Sequence, residues 1–167
     1  RQGNRIRAQR QLSGRGQRER EWNSVDGDLT CSWLIHEGEI PPNGFELGML
    51  QLEAALAVLD AIAALSGQIL PSGGLPAIEN IADLGFSVKW PNDIWADGDK
   101  LGGILIEHRG ELGARARLIV GLGLNVSMDR AQAESIDQPW TRLIDHLPTP
   151  PRRNQLAAAV LEALIQA

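Results

Sequence analysis

The sequence predicts an α/β domain in which a mixed β-sheet is flanked by helices. Three observations carry that expectation. Residues 46–65 place Leu47, Leu50, Ala54, Ala57, Val58 and Ile62 on one stripe at helical spacing. Residues 94–96 and 100–107 are strand-like runs joined through Asp97-Gly98, a tight-hairpin signal. Residues 154–165 form a second helix led in by Pro150 and Pro151. A long helix beside adjacent hairpins departs from the strict alternation of an all-parallel sheet.

The elements follow in order. Residues 4–11 alternate, with Ile6 and Ala8 on one face and Arg5 and Arg7 on the other, as in a short half-buried strand. Residues 13–22 are rich in Gly, Arg and Glu without apolar period and read as a loop. Residues 29–36 read as a strand, and Pro41, Pro42, Asn43 and Gly44 break the chain. The long helix ends at Gly67. A Pro/Gly/Ser loop over 66–76 and a short helical turn over 78–84 come next. Residues 86–90 form a strand stopped by Pro91, and residues 118–126 another. Residues 127–139 are polar and expected to be mobile.

With 167 residues the chain is long enough for one domain with a real core and needs no disulfide staples. The single cysteine, Cys31, excludes an internal disulfide, argues against a cysteine zinc site and fits a cytoplasmic setting. The longest apolar stretch is interrupted by Asp60 and is too short for a membrane span, so no membrane partner is expected. A net charge of −5 and the lack of a continuous basic stripe count against nucleic acid. Basic groups are nonetheless local: arginines crowd the first twenty residues, and Lys89 and Lys100 are the only lysines. The chain starts at Arg1 and stops within a helix, so both ends are expected to be cut.

Four segments offer chemistry. In Gly14-Arg15-Gly16-Gln17-Arg18-Glu19-Arg20-Glu21-Trp22, glycines allow close backbone approach to an anion and arginines supply forked donors; taken alone, the stretch also reads as a solvated turn. Lys89-Trp90-Pro91-Asn92-Asp93 puts a lysine in an apolar strand and polar side chains at its end, where plain turn chemistry is the alternative. Lys100-Leu101-Gly102-Gly103 places glycines inside a strand, the mark of a bulge or a close ligand, just after a hairpin lysine. Gly121-Leu122-Gly123-Leu124-Asn125 repeats the glycine signal, but position 126 is Val126, so no dinucleotide fingerprint forms. Phosphate-loop, nucleophile-elbow and paired-carboxylate patterns are missing. Cations, backbone donors and an amide without a covalent nucleophile suit phosphoryl or nucleotidyl transfer.

Lys89-Trp90-Pro91-Asn92-Asp93, with Lys100-Leu101-Gly102-Gly103-Ile104-Leu105-Ile106-Glu107 starting seven residues after Asp93, resembles the paired hallmark of the biotin–protein ligases. The stretch 11–22 is similar to that family's Gly/Arg adenylate loop. The Gly121–Asn125 strand, the Asp137-Gln138-Pro139-Trp140 segment and the final helix follow in the family's order. The resemblance implies a catalytic domain of the class II aminoacyl-tRNA synthetase type spanning residues 1–167. It would lack the family's opening strand and helix and its small C-terminal barrel. It further implies biotin and ATP as substrates with Mg²⁺, a biotin carboxyl carrier domain as acceptor, and a homodimer as the assembly common in the family. Lys100 and Arg18 would be catalytic. Gln11, Gly14, Arg15, Gly16, Gln17, Trp22, Lys100, Gly103, Leu105 and Gly123 would hold biotin. Arg18, Arg20, Lys89, Asn92, Asn125 and Trp140 would hold ATP or the adenylate, and Asp93 the metal.

Gln17 and Glu19 stand where the family usually has Arg and Gly, which implies a looser hold on the adenylate. A non-catalytic biotin or biotinyl-adenylate module, and a lipoate–protein ligase of the same fold, are the competing readings. For Trp22 and Trp140, core packing is the alternative.

Overall fold

The computed structural model describes residues 5–7, 11, 13–17, 21–22, 24–36, 47–66, 85–109, 117–134, 136–147 and 149–166. Its strands are β1 (Arg5–Arg7), β2 (Gly14–Arg15), β3 (Glu21–Trp22), β4 (Leu29–His36), β5 (Phe86–Lys89), β6 (Asp93–Ala96), β7 (Asp99–Arg109) and β8 (Arg117–Leu124). Helix α1 is Leu47–Leu65, between β4 and β5, and α2 is Arg153–Gln166.

Period-two burial decides how the sheet is used. Along β8, Leu118, Val120, Leu122 and Leu124 are buried, while Ile119, Gly121 and Gly123 face the other way. The six-stranded sheet runs β1-β4-β8-β7-β6-β5. All its pairings are antiparallel, and the only parallel contact among the described residues is an isolated bridge between Lys100 and Trp140. The expected parallel component of the sheet is thus confined to that bridge. Local hairpins favour this arrangement, because an antiparallel neighbour needs no crossover.

Leu29, Trp33, Phe86, Ile94, Ile104, Val120 and Leu122 build one core with Ala54, Val58 and Ile62 of α1 and Leu156 and Val160 of α2. Helix α1 touches α2, β5 and β7, and α2 touches β4. Because α1 packs against both the sheet and α2, Ala55, Leu59, Ala61 and Ala63 are buried beside the expected stripe. Each fully buried leucine or isoleucine contributes about 1.5–3 kcal/mol of hydrophobic stabilisation. Helices cover one sheet face, and among the described residues the other lines a cleft.

Part of the segment expected to be a loop pairs as a ribbon: Gly14 opposes Trp22 and Arg15 opposes Glu21. A Cβ on Gly14 would sit 3.0 Å from the Trp22 Cβ and closer still to the Trp22 carbonyl, so only glycine permits this approach. After β8 the chain makes a 3₁₀ turn over Arg130–Ala133, whose entry is capped by Asp129 accepting from the Ala131 N–H at 3.0 Å. The expected helical turn over 78–84 and the stop at Gly67 lie outside the described residues.

Asp28, just ahead of β4, is 4% exposed, and its Oδ1 has no hydrogen-bond partner. Burial pushes its carboxyl from 3.8 up to about 7, outweighing the backbone N–H groups of Val25 and Val126 and the charge of Arg153.

Candidate active site

The uncovered sheet face floors a cleft of about 1140 Å³. Register explains its floor. Thr30 of β4 pairs with Gly123 of β8, which pairs with Gly103 of β7, which pairs with Asp93 of β6. The next row runs Ser32, Gly121, Leu105. Glycines in the middle strands remove side chains where the others carry hydroxyls or a carboxylate, so the floor is flat and accessible.

Trp22 roofs part of it. A Cβ on Gly123 would fall inside the Trp22 indole, 2.6 Å from Cζ2 and 2.8 Å from Nε1. A Cβ on Gly103 would lie 3.5 Å from Asp93 Oδ1, 3.7 Å from Lys100 Cε and 3.7 Å from Trp22 Cζ3, in the slot these side chains enclose. Trp22 Nε1 is buried without a hydrogen-bond partner.

Lys100 reaches this slot through a bulge. Ile94 pairs with Gly102, but Trp95 pairs with Lys100, so Leu101 is an extra residue on β7. Unbroken alternation would put Lys100 on the face of Gly102 and Ile104, in the core. With the bulge, Leu101 is fully buried and Lys100 shares the cleft face with Gly103 and Leu105. Its Nζ lies 2.9 Å from Asp93 Oδ1 and 5.8 Å from the Trp22 ring centroid. Lys89 lies on the β5 edge with Nζ 4.1 Å from the Trp95 ring centroid, a cation–π contact that holds a second positive charge at the cleft rim.

The backbone of Lys100 is clamped. Its N–H donates to the Pro139 carbonyl at 3.2 Å, and its carbonyl accepts from the Thr141 N–H at 2.9 Å. The buried Asn125 side chain donates to the Thr141 carbonyl at 3.1 Å and to the Lys100 carbonyl at 3.4 Å, while the Asn125 N–H donates to the Leu101 carbonyl at 2.9 Å. Arg142 then anchors the following turn by donating to Asp145 at 2.7 Å and to the Met128 carbonyl at 3.0 Å. That pairing holds the Asp145 carboxyl below its ordinary value.

Of the expected biotin residues, Gln11, Arg15, Gly16, Gln17, Trp22, Lys100, Gly103, Leu105 and Gly123 line the cleft. Gly14 does not; it is buried beneath Trp22. Of the expected nucleotide residues, Lys89 and Asn92 line the cleft. Asn125 and Trp140 share a smaller hollow of about 80 Å³ with Trp22 and Lys100. Arg18 and Arg20 lie outside the described residues, as does Glu19. Asp93 lines the cleft with Oδ1 2.9 Å from the Lys100 ammonium, and a magnesium ion that keeps its waters and binds ATP phosphates needs only one or two such carboxylates. Thr30 and Ser32 line the cleft without having been singled out from the sequence, and Glu107 and Gln138 line it from within the motifs at 100–107 and 137–140. The alternation of Thr30 and Ser32 with Leu29, Cys31 and Trp33 was the available signal for the first two.

The chain is similar to several known proteins. Residues 2–125 match the biotin/lipoate A/B protein ligase family. The biotin–[acetyl-CoA-carboxylase] ligase of Mycobacterium tuberculosis is 33% identical over 94% of this chain and 51% of that protein. The bifunctional ligase/repressor BirA of Salmonella typhimurium is 30% identical over 98% of this chain and 45% of that protein. The chain therefore spans about half the length of these curated relatives. Among solved structures, the Aquifex aeolicus biotin protein ligase in complex with biotin and ATP superposes with a TM-score of 0.73 at 29% identity, over 97% of this chain and 59% of that one. The Leishmania major biotin protein ligase in complex with biotinyl-5-AMP gives 0.77 at 25% identity, over 98% and 63%. The chain belongs to the biotin/lipoate A/B protein ligase family.

Proposed function

We propose that this chain carries the adenylate-forming centre of a biotin–protein ligase, as one catalytic domain acting in the cytoplasm. The observation that carries the reading is the Lys100 ammonium, held by Asp93 at 2.9 Å over a glycine floor and beside Trp22. A flat slot under an indole suits a compact apolar ring system, and a fixed ammonium at its end suits a carboxylate. The relatives crystallised with biotin, ATP and biotinyl-5-AMP support this choice of ligands.

In the first step the biotin carboxylate oxygen bonds to the ATP α-phosphorus, and the bond to pyrophosphate breaks. Two anions must meet, and Lys100 offsets their repulsion in a partly dry site. Losing one such preorganised donor typically costs about 3 kcal/mol, roughly a hundredfold in rate. Lys89 and Asn92 at the rim, with Arg18 and Arg20, would hold the phosphates, and Mg²⁺ enters as the counter-ion of ATP. In the second step the amine of a lysine on a carboxylase carrier domain attacks the acyl carbon. The amide forms, AMP leaves and the amine gives up a proton.

The family name covers lipoate as well as biotin, so the test runs both acids. Pyrophosphate exchange into ATP that needs biotin and not lipoate supports the reading. Exchange with lipoate alone moves the chain to the other branch, and biotin binding without exchange makes it a binding module. The net charge of −5 lends no support to a nucleic-acid role.

A further inference from the structure

Outside the cleft, the described residues hold one hydroxyl–imidazole–carboxylate chain. Thr141 Oγ1 lies 2.7 Å from His146 Nε2, and His146 Nδ1 lies 3.1 Å from Asp97 Oδ2. Thr141 is 6% exposed and lines neither cavity, so it offers no accessible nucleophile. The chain's position is what matters. Asp97 sits in the hairpin turn three residues before Lys100, and Thr141 donates its N–H to the Lys100 carbonyl.

We propose that Asp97, His146 and Thr141 are positioning residues that fix the Lys100 ammonium in the cleft. This rests on Lys100 being the catalytic lysine proposed above. A carboxylate oxygen accepts, so His146 Nδ1–H faces Asp97. In the tautomer with that hydrogen alone, Nε2 accepts from the Thr141 hydroxyl. Each bond thus sets the polarity of the next, from the hairpin turn to the segment that brackets Lys100.

The surroundings are built for this. Asp97 adopts a left-handed φ of 50°, and its N–H donates to the Gly85 carbonyl at 2.9 Å. A Cβ on Gly85 would collide with the Asp97 carboxylate, so the glycine clears its path. The His146 ring also packs on Phe86 with centroids 5.8 Å apart, tying in β5. The neighbouring carboxylate, Asp145, is taken by Arg142 and Arg130, which leaves Asp97 as the imidazole's acidic partner.

The test uses the chain's only two lysines. Amine acetylation is followed by mass spectrometry on the full chain, with Lys89 as internal reference for Lys100. Thr141→Val keeps the shape and removes the hydroxyl; Thr141→Ser restores it. We expect Val to raise the Lys100-to-Lys89 labelling ratio about fivefold, the scale of one lost buried hydrogen bond, and Ser to return it to the parent value. Biotin-dependent exchange should fall in kcat with little change in KM. Asp97→Asn, at an exposed turn, should shift the ratio the same way and serves if the Val variant does not fold. A ratio unmoved in Val or Asn, or equal in Val and Ser, overturns the proposal. Labelling needs neither biotin nor ATP, so failure of the ligase reading would appear separately, as absent exchange in the parent chain.

Discussion

Asp28→Asn should stabilise this protein at alkaline pH and do nothing for it in mild acid. A carboxyl moved from 3.8 to about 7 carries up to ~4 kcal/mol of proton linkage. The sign follows from proton counts. Between those two values the folded chain holds a proton on Asp28 that the unfolded chain has released. Stability from this group is therefore full below pH 3.8, declines as pH rises toward 7, and is lost above it. The usual carboxylate, depressed by a partner, behaves in the opposite way. Asparagine keeps the size and the acceptor for Val25, stays neutral at every pH, but gives up the attraction of Arg153 and must place an amide NH₂ where Oδ1 is unpartnered. After those offsets we expect a gain of about 2 kcal/mol at pH 8 and near none at pH 4. Urea unfolding of both proteins at the two pH values measures the gap directly. A gap of equal size at both would show that Asp28 does not titrate with folding.

Gly123→Ala should force Trp22 off the floor, because the added methyl lands in the indole; overpacking of this kind costs about 1–3 kcal/mol, and biotin affinity by calorimetry should fall at least tenfold if Trp22 forms the roof. Asn125→Ala removes the side-chain bonds to the carbonyls of Lys100 and Thr141. Buried groups left unpaired cost about 1–3 kcal/mol, so thermal unfolding should shift down, and kcat for exchange should drop more than biotin affinity; an unchanged kcat would remove Asn125 from the clamp.

The order of chemistry-bearing segments, the two main helices and the Asp97-Gly98 hairpin were legible in the sequence, because each is local. Glycines at 103 and 123 announced a close approach, and strand register explains why they fall in one row. The orientation of Lys100 was not legible. Simple alternation turns it into the core, and only the pairing of Trp95 with Lys100 reveals the extra residue at Leu101. Trp22 over Gly123 is likewise a contact between segments a hundred residues apart, with no local signature. In the polar stretch after β8, the cap at Asp129 and the bond from Lys100 to the Pro139 carbonyl have no periodic signature in the sequence. That the Asn125 amide donates to the carbonyls of Lys100 and Thr141 while lining the smaller hollow was not legible either. The His146 chain joins residues 97, 141 and 146, which no spacing rule links.

The most direct measurement is biotin-dependent ATP–pyrophosphate exchange on the purified chain, with Lys100→Ala beside it. We expect exchange in the parent and a loss of about a hundredfold or more in the variant, while circular dichroism shows both folded. Equal exchange in the two would contradict the role of Lys100, and biotin binding without exchange in a folded parent would contradict the ligase reading.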